Sequence, residues 1–145
     1  MDEAAYRAAR GAAVPSPCVF AKALAAGGAD CPAAIRRALA ERESIGCTSP
    51  PANANCTTLA ALLRERAAFA LRLRTDVPLP HAAAMKLQCG GLAALAACVD
   101  TPETDVRHLV AVALARNGSP VGLPWPDIVA GVAKWQGRRR YRGPG

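Results

Sequence analysis

Hydrophobic residues recur along most of this chain at spacings of three and four, which places their side chains on one face of an α-helix. The clearest such segment runs from Cys56 to Leu73, and its charged residues fall on the opposite face. Its expected inward positions are Leu59, Leu62, Leu63, Phe69 and Leu73. The pattern predicts a long amphipathic helix that buries a stripe of leucines.

A second amphipathic helix is predicted from His81 to Val99. Its apolar stripe consists of Met85, Cys89, Leu92, Ala96 and Val99. Cys89 therefore shares the inward face of this helix with core residues. Gly90 and Gly91 follow it, and because glycine has no Cβ, they would let a cofactor or another backbone approach closely.

Proline, glycine and asparagine divide the rest of the chain into shorter helices. Asp30 is the expected cap of one of them, and Ile35 and Leu39 are its expected buried side chains. The predicted short helices are residues 2–10, a helix from Pro17 to Gly27, one from Pro32 to about Glu43, one from Thr101 to Asn117, and one from Pro126 through Trp135.

The segment from Ser44 to Asn55 (SIGCTSPPANAN) is predicted to be a loop, because its glycine, prolines and asparagines resist positions inside a helix. No segment shows the alternation of a half-buried strand. The predicted fold class is therefore all-α, a single compact bundle of about five or six short helices.

Composition also favours closely packed helices. Hydrophobic residues make up 52% of the 145 residues but aromatic residues only 4%, and much of the apolar fraction is alanine, the best helix former. Residues 1–137 are expected to form one helical domain, and residues 138–145 a basic, flexible C-terminal tail. No stretch approaches the roughly 18 apolar residues of a membrane span.

The formal net charge of +7 is concentrated at the C-terminal end. The tail arginines are Arg138, Arg139, Arg140 and Arg142. Such a tail can contact the phosphates of a nucleic acid. A solvated end is the favoured interpretation, because four arginines on a flexible segment lose ordering entropy on binding. Nucleic-acid binding is therefore not expected.

The segment from Met1 to Arg10 is acidic and polar, without the charged-then-apolar pattern of a secretory signal. The expected location is therefore the cytoplasm. Six cysteines in such a chain are more often metal ligands or reactive thiols than disulfide partners.

Four cysteines fall beside proline, asparagine or glycine, where helices are predicted to begin or to pack closely. They are Cys18, Cys47, Cys56 and Cys89. The N–H groups at a helix N-terminus stabilise a thiolate, the form of cysteine that binds metal. These four are the predicted ligands, Cys31 is a substitute for any of them, and the helices are expected to pack around this cysteine-ligated centre.

The spacing of the cysteines bears on the kind of centre. The chain has no C-x2-C pair, so the usual zinc ribbon, thioredoxin and bacterial ferredoxin patterns are all absent. Four dispersed thiolates favour a [4Fe–4S] cluster, with zinc or no metal as the alternatives. Free cysteine also packs as a small hydrophobe, and that interpretation is adopted for Cys98.

The sequence shows no phosphate-binding loop, nucleophile elbow or paired metal-binding histidines. His81 and His108 are interpreted as ordinary surface or core side chains, so the chain is expected not to be an enzyme. The leading function is a redox role: electron transfer to a partner protein, or sensing of redox state or nitric oxide. The alternatives are a zinc-stabilised or metal-free helical interaction module and an enzyme with a reactive cysteine.

Overall fold

Helices dominate the computed structural model, which describes residues 16–39, 42–74, 76–100 and 105–137. In chain order the elements are α1 (Ala21–Ala25), β1 (Ala34–Leu39), β2 (Arg42–Cys47), α2 (Pro50–Ala67), α3 (His81–Met85), a π-helical turn (Lys86–Gly90), α4 (Gly91–Cys98), α5 (Val106–Asn117), a 3₁₀ turn (Pro120–Gly122) and α6 (Trp125–Lys134). The helix predicted for residues 2–10, the helix start at Thr101 and the tail 138–145 lie outside the described residues.

The all-α prediction is wrong for residues 34–39 and 42–47, which form two paired β-strands where a helix was predicted for residues 32–43. Strands β1 and β2 pair antiparallel, and Ala34 lies opposite Cys47 at the open end of the hairpin. The fold is therefore mostly helical with one small sheet.

A further extended segment lies along the other side of β2, through a bridge between Pro17 and Gly46. Strand β2 is thus hydrogen-bonded on both sides, and its Ile45 side chain is only 4% exposed. Pairing and burial of this kind outweigh helix propensities, which differ by only about 0.7 kcal/mol per residue between ordinary residues.

Helix α2 begins earlier than the sequence pattern predicts. Ser49 is its N-cap, and the Ser49 hydroxyl accepts a hydrogen bond from the backbone N–H of Ala52 at 3.3 Å. Pro50 occupies the first helical position, where a missing N–H costs nothing. The predicted loop from Ser44 to Asn55 is consequently divided between β2, a short connection and the first turns of α2.

The leucine stripe of α2 is confirmed at Leu59 and Leu63, which are 2% and 3% exposed. Phe69 was expected on the same stripe, but it is 96% exposed. Helix α2 ends at Ala67, so the helical period no longer applies at Phe69.

The helix predicted from His81 to Val99 is present as α3, the π-helical turn and α4 in direct succession. The π-helical turn also supports α1, because the Gln88 side-chain oxygen accepts a hydrogen bond from the backbone N–H of Ala23 at 3.1 Å. This N–H lies in the first turn of α1, where backbone donors have no partner within the helix.

The paired glycines at the start of α4 allow close packing of helices. A Cβ added at Gly90 would lie 2.9 Å from Trp135 Cβ, and one added at Gly91 would lie 2.9 Å from Leu63 Cδ1. Of the two interpretations in the sequence analysis, the structure supports the approach of protein neighbours, since protein atoms occupy the space that a cofactor would need.

Helices α5 and α6 complete the core. Asp105 caps α5 by accepting a hydrogen bond from the backbone N–H of His108 at 3.1 Å. Trp125 begins α6, is 5% exposed, and donates its indole N–H to the Pro120 carbonyl at 3.0 Å. The most deeply buried large side chains of the described chain are Phe20, Leu24, Leu95, Ile128 and Val132. Within the described ranges, no helix combines the length and apolar character needed to cross a membrane.

Candidate metal centre

The hairpin brings Cys18 and Cys47 together. The backbone N–H of Cys18 donates to the Ile45 carbonyl at 3.0 Å, and the N–H of Cys47 donates to the Ser16 carbonyl at 2.7 Å. Cys18 thus lies opposite Ile45, two residues from Cys47 along β2.

Side chains that lie opposite each other, or two residues apart along a strand, share a face of the sheet. Cys18, Ile45 and Cys47 therefore lie on one face. Diagonal neighbours on such a face have their Cβ atoms roughly 7–8 Å apart, within reach of a common bound group. Ile45 on this face is buried, so the two thiols lie at the margin of the core.

Cys31 reaches the same region through the turn that precedes β1. Its carbonyl accepts a hydrogen bond from the N–H of Ala34 at 3.1 Å, and Ala34 lies opposite Cys47. Thr48 fixes this turn from the other strand, because its N–H and its hydroxyl both donate to the Ala33 carbonyl, at 2.8 and 2.9 Å.

Cys56 approaches from α2. Asn53, three residues earlier and on the same side of the helix, donates its side-chain amide to the Pro17 carbonyl at 3.1 Å. This bond ties the start of α2 to the residue preceding Cys18. Cys47 is also tied to the helix start, because its thiol donates to the Ser49 carbonyl at 3.3 Å.

The pKa of Cys56 is affected by the three other cysteines of this region. Burial raises its pKa most, and the charges of Cys18, Cys31 and Cys47 raise it further, to about 12. The pKa of Cys18 is also raised, chiefly by burial and additionally by Cys31 and Cys47, although a hydrogen bond from the backbone N–H of Phe20 favours its thiolate. Each thiolate disfavours the next, and a bound cation would relieve this repulsion.

Three of the predicted ligands, Cys18, Cys47 and Cys56, therefore lie near one another, and Cys31 is the fourth member of the group. All four are half-buried. Cys89 lies in the π-helical turn, with its sulfur 3.5 Å from the position of a Cβ added at Gly28. Burial raises the pKa of Cys89, and no other thiol contributes.

The remaining candidates lie at the surface. Cys98 is exposed at the end of α4, so its interpretation as a packing residue is wrong. His108 is exposed, and exposed His81 lies 3.2 Å from the Lys22 ammonium, measured to its Nδ1. Both histidines are surface side chains, one of the two alternatives in the sequence analysis.

The four cysteine side chains do not already have the geometry of a metal site. In the part of the chain that the structure describes, no three His, Cys, Asp or Glu side chains are arranged as ligands of one ion. Neutral thiols have little to hold them around a common point, and thiolates repel one another. The backbone brings the four residues together, and the side chains would need to turn inward to coordinate a metal.

We expect the free energy of unfolding of the metal-free protein to fall as the pH rises above 9. The pKa of Cys56 is raised from 9.0 to about 12 in the folded chain. Its contribution to stability is therefore complete below pH 9.0 and is lost as the pH rises through about 12. Urea unfolding at a series of pH values measures this decline. Cys56→Ser should flatten it, and Cys98→Ser should retain most of it.

No family model matches the chain, and neither the curated proteins nor the solved structures include a significant match to it.

Proposed function

We propose that the protein binds a [4Fe–4S] cluster through Cys18, Cys31, Cys47 and Cys56 and has a redox role. The role would be electron transfer to a partner protein or sensing of redox state or nitric oxide. The observation that carries this proposal is the convergence of four cysteines from four chain segments, joined by the hydrogen bonds of β2 and the Asn53–Pro17 contact.

The donor set fits such a cluster in number and chemistry. Four cysteine thiolates are the usual ligands of a [4Fe–4S] cluster, and thiolate is a soft ligand that favours iron–sulfur centres and zinc over hard cations. Cys31 takes the place that the sequence analysis gave to Cys89. This choice rests on the turn that joins Cys31 to Ala34, which lies opposite Cys47, and the charge of Cys31, unlike that of Cys89, also raises the pKa of Cys56.

Two hydrogen bonds at the site act on the thiols in opposite directions, one favouring a thiolate and the other a protonated thiol. Cys18 already accepts a hydrogen bond from the backbone N–H of Phe20, the kind of interaction that stabilises thiolates and sets the reduction potential of a cluster. The Cys47 thiol donates to the Ser49 carbonyl, and deprotonation by a metal would free that carbonyl. Metal binding is therefore expected to release protons and to depend on pH.

The proposed redox role rests on the cluster itself, because the same four thiolates around zinc would have no redox activity. When bound, the cluster would supply one-electron chemistry. Four protein thiolates leave no coordination position for a substrate, so catalysis at the metal is not expected. The half-buried ligands keep the site close to the surface, where a partner protein or a small oxidant can approach.

Metal and sulfide analysis of protein purified without oxygen tests this proposal. We expect close to four iron and four sulfide per chain, with a brown colour and broad visible absorption. Colourless protein with one zinc per chain would replace the cluster by a structural zinc site and favour an interaction module. Protein that binds neither metal, even after incubation with iron and sulfide, would refute a metal centre.

A further inference from the structure

An open cavity of about 360 Å³ lies between α2, the segment that precedes α1, α3 and the π-helical turn. Its buried lining residues are all apolar: Phe20, Leu63, Ala84 and Leu87. None of the six cysteines lines this cavity, so it is separate from the thiols described above.

Two half-buried side chains bring hydrogen-bond donors to the cavity. The Arg64 guanidinium donates from Nη2 to the Val77 carbonyl at 3.2 Å, which fixes it beside the segment that leads to Leu79. The Gln88 side-chain oxygen accepts from the backbone N–H of Ala23, so the amide nitrogen remains as the donor for a ligand. Among the residues that the structure describes, neither side chain forms another hydrogen bond.

The charge at the cavity is positive. Arg64 is the only ionisable side chain among the described residues that line it. A guanidinium forms strong, charge-assisted hydrogen bonds with a carboxylate. Apolar walls with a few placed polar groups are typical of small-molecule sites. The cavity therefore suits a molecule with an apolar chain and one carboxylate at its end.

The volume sets the size of that molecule. At roughly 30 Å³ per water-sized group, the cavity holds about twelve non-hydrogen atoms. We infer that it binds a linear monocarboxylate of about eight to ten carbons. The alkyl chain lies against Phe20, Leu63 and Leu87, and the carboxylate accepts hydrogen bonds from Arg64 and Gln88. The inference goes beyond the proposed function and does not depend on a bound metal.

Calorimetric titration of octanoate into the full chain tests the inference. We expect one molecule bound per chain with a Kd of about 100 μM. Butanoate is four methylenes shorter and should bind at least about 100-fold more weakly, because each buried methylene contributes a factor of about four. 1-Octanol has the same chain without the charge and should bind about tenfold more weakly than octanoate.

Arg64→Met tests the carboxylate end of the site. It should weaken octanoate binding by about tenfold or more. Binding of 1-octanol should be unchanged, which would show that the cavity itself is intact. Arg107→Met is the matched control, because it removes the same charge from an exposed position on α5 that does not line the cavity. It should bind octanoate as the unaltered protein does.

Ala60→Leu tests the apolar end, because it adds three carbon atoms at the α2 wall of the cavity. It should weaken octanoate and 1-octanol binding alike. Ala54→Leu is its control, since Ala54 is exposed on α2 and does not line the cavity. It should bind both molecules as the unaltered protein does.

Three results would overturn the inference. The first is the absence of octanoate binding by the unaltered protein at millimolar concentration. The second is equal affinity for octanoate in the unaltered protein and Arg64→Met, which would place the ligand elsewhere. The third is equal affinity of the unaltered protein for octanoate and 1-octanol, which would remove the role of the carboxylate. None of these measurements requires a metal, so none of them decides the proposed function.

Discussion

Single replacement of Cys18, Cys31, Cys47 or Cys56 by serine is expected to remove most of the bound iron. The serine hydroxyl does not ionise near neutral pH and is a harder ligand than thiolate, so each variant leaves the cluster with three suitable ligands. Because metal binding is coupled to folding, the variants should also lose the stabilisation that the metal gives. Iron and sulfide content after loading without oxygen, and the urea midpoint with and without metal, measure the two effects.

Cys89→Ser and Cys98→Ser are the controls for this series. Cys89 lies against Gly28 and Cys98 is exposed, so both variants should retain the iron of the unaltered protein. Iron lost from Cys89→Ser but retained in Cys31→Ser would contradict the structural assignment and restore the ligand set predicted from sequence.

Replacement of Phe20 by alanine is expected to reduce the free energy of unfolding by about 3–5 kcal/mol, the usual cost of removing a buried phenylalanine side chain. Phe20 is 1% exposed and belongs to the hydrophobic core. Phe20 follows Cys18 by two residues, so the loss should also loosen the site. Urea unfolding of the metal-free protein measures the change.

Phe69→Ala is the matched control, since the chain contains two phenylalanines and Phe69 is 96% exposed. Its free energy of unfolding should stay within about 0.5 kcal/mol of the unaltered protein, as for most surface substitutions. If Phe69→Ala and Phe20→Ala lowered the free energy of unfolding by similar amounts, Phe69 would be buried in the folded protein, as the helical spacing alone predicts.

The sequence predicts the long helical segments well, because their burial pattern is local. Leu59 and Leu63 in α2, Leu92 in α4 and Val99 at its C-cap follow the predicted helical period and are buried. The spacing of hydrophobic residues predicts where a helix ends less reliably than it predicts which residues are buried. Arg72 has a φ of 54°, a left-handed conformation that a helix cannot contain, so the chain has already left the helical path before the predicted end at Leu73.

The hairpin could not be read from periodicity. Alanine and arginine make up four of the six residues of β1, and both favour helices over strands in isolation. The segment is a strand because it pairs with β2. Strand β2 lies between β1 on one side and the segment at Pro17 on the other. Such contacts join residues distant in the chain, and no local pattern records them.

The pairing of β1 with β2 also decides between Cys31 and Cys89 as the fourth ligand, a choice that local sequence patterns cannot make. In sequence, Cys18 adjoins a proline, Cys47 a glycine and Cys56 an asparagine. Cys31 has a similar neighbour in Pro32, but within a predicted helix nothing placed it near Cys47. Once Ala34 is paired with Cys47, the turn before β1 carries Cys31 to the other thiols. A hairpin prediction for residues 34–47 would have favoured Cys31 over Cys89.

The order of the elements along the chain has a consequence for biosynthesis. The four grouped thiols all lie between Cys18 and Cys56, whereas α2 is held in place by later helices, including α6 with its buried Val132. At about 5–20 residues per second, the ribosome needs several seconds to pass from Cys56 to Val132. The thiols thus leave the ribosome before the helices that support them, and iron and sulfide delivery during translation would meet an open, accessible set of ligands.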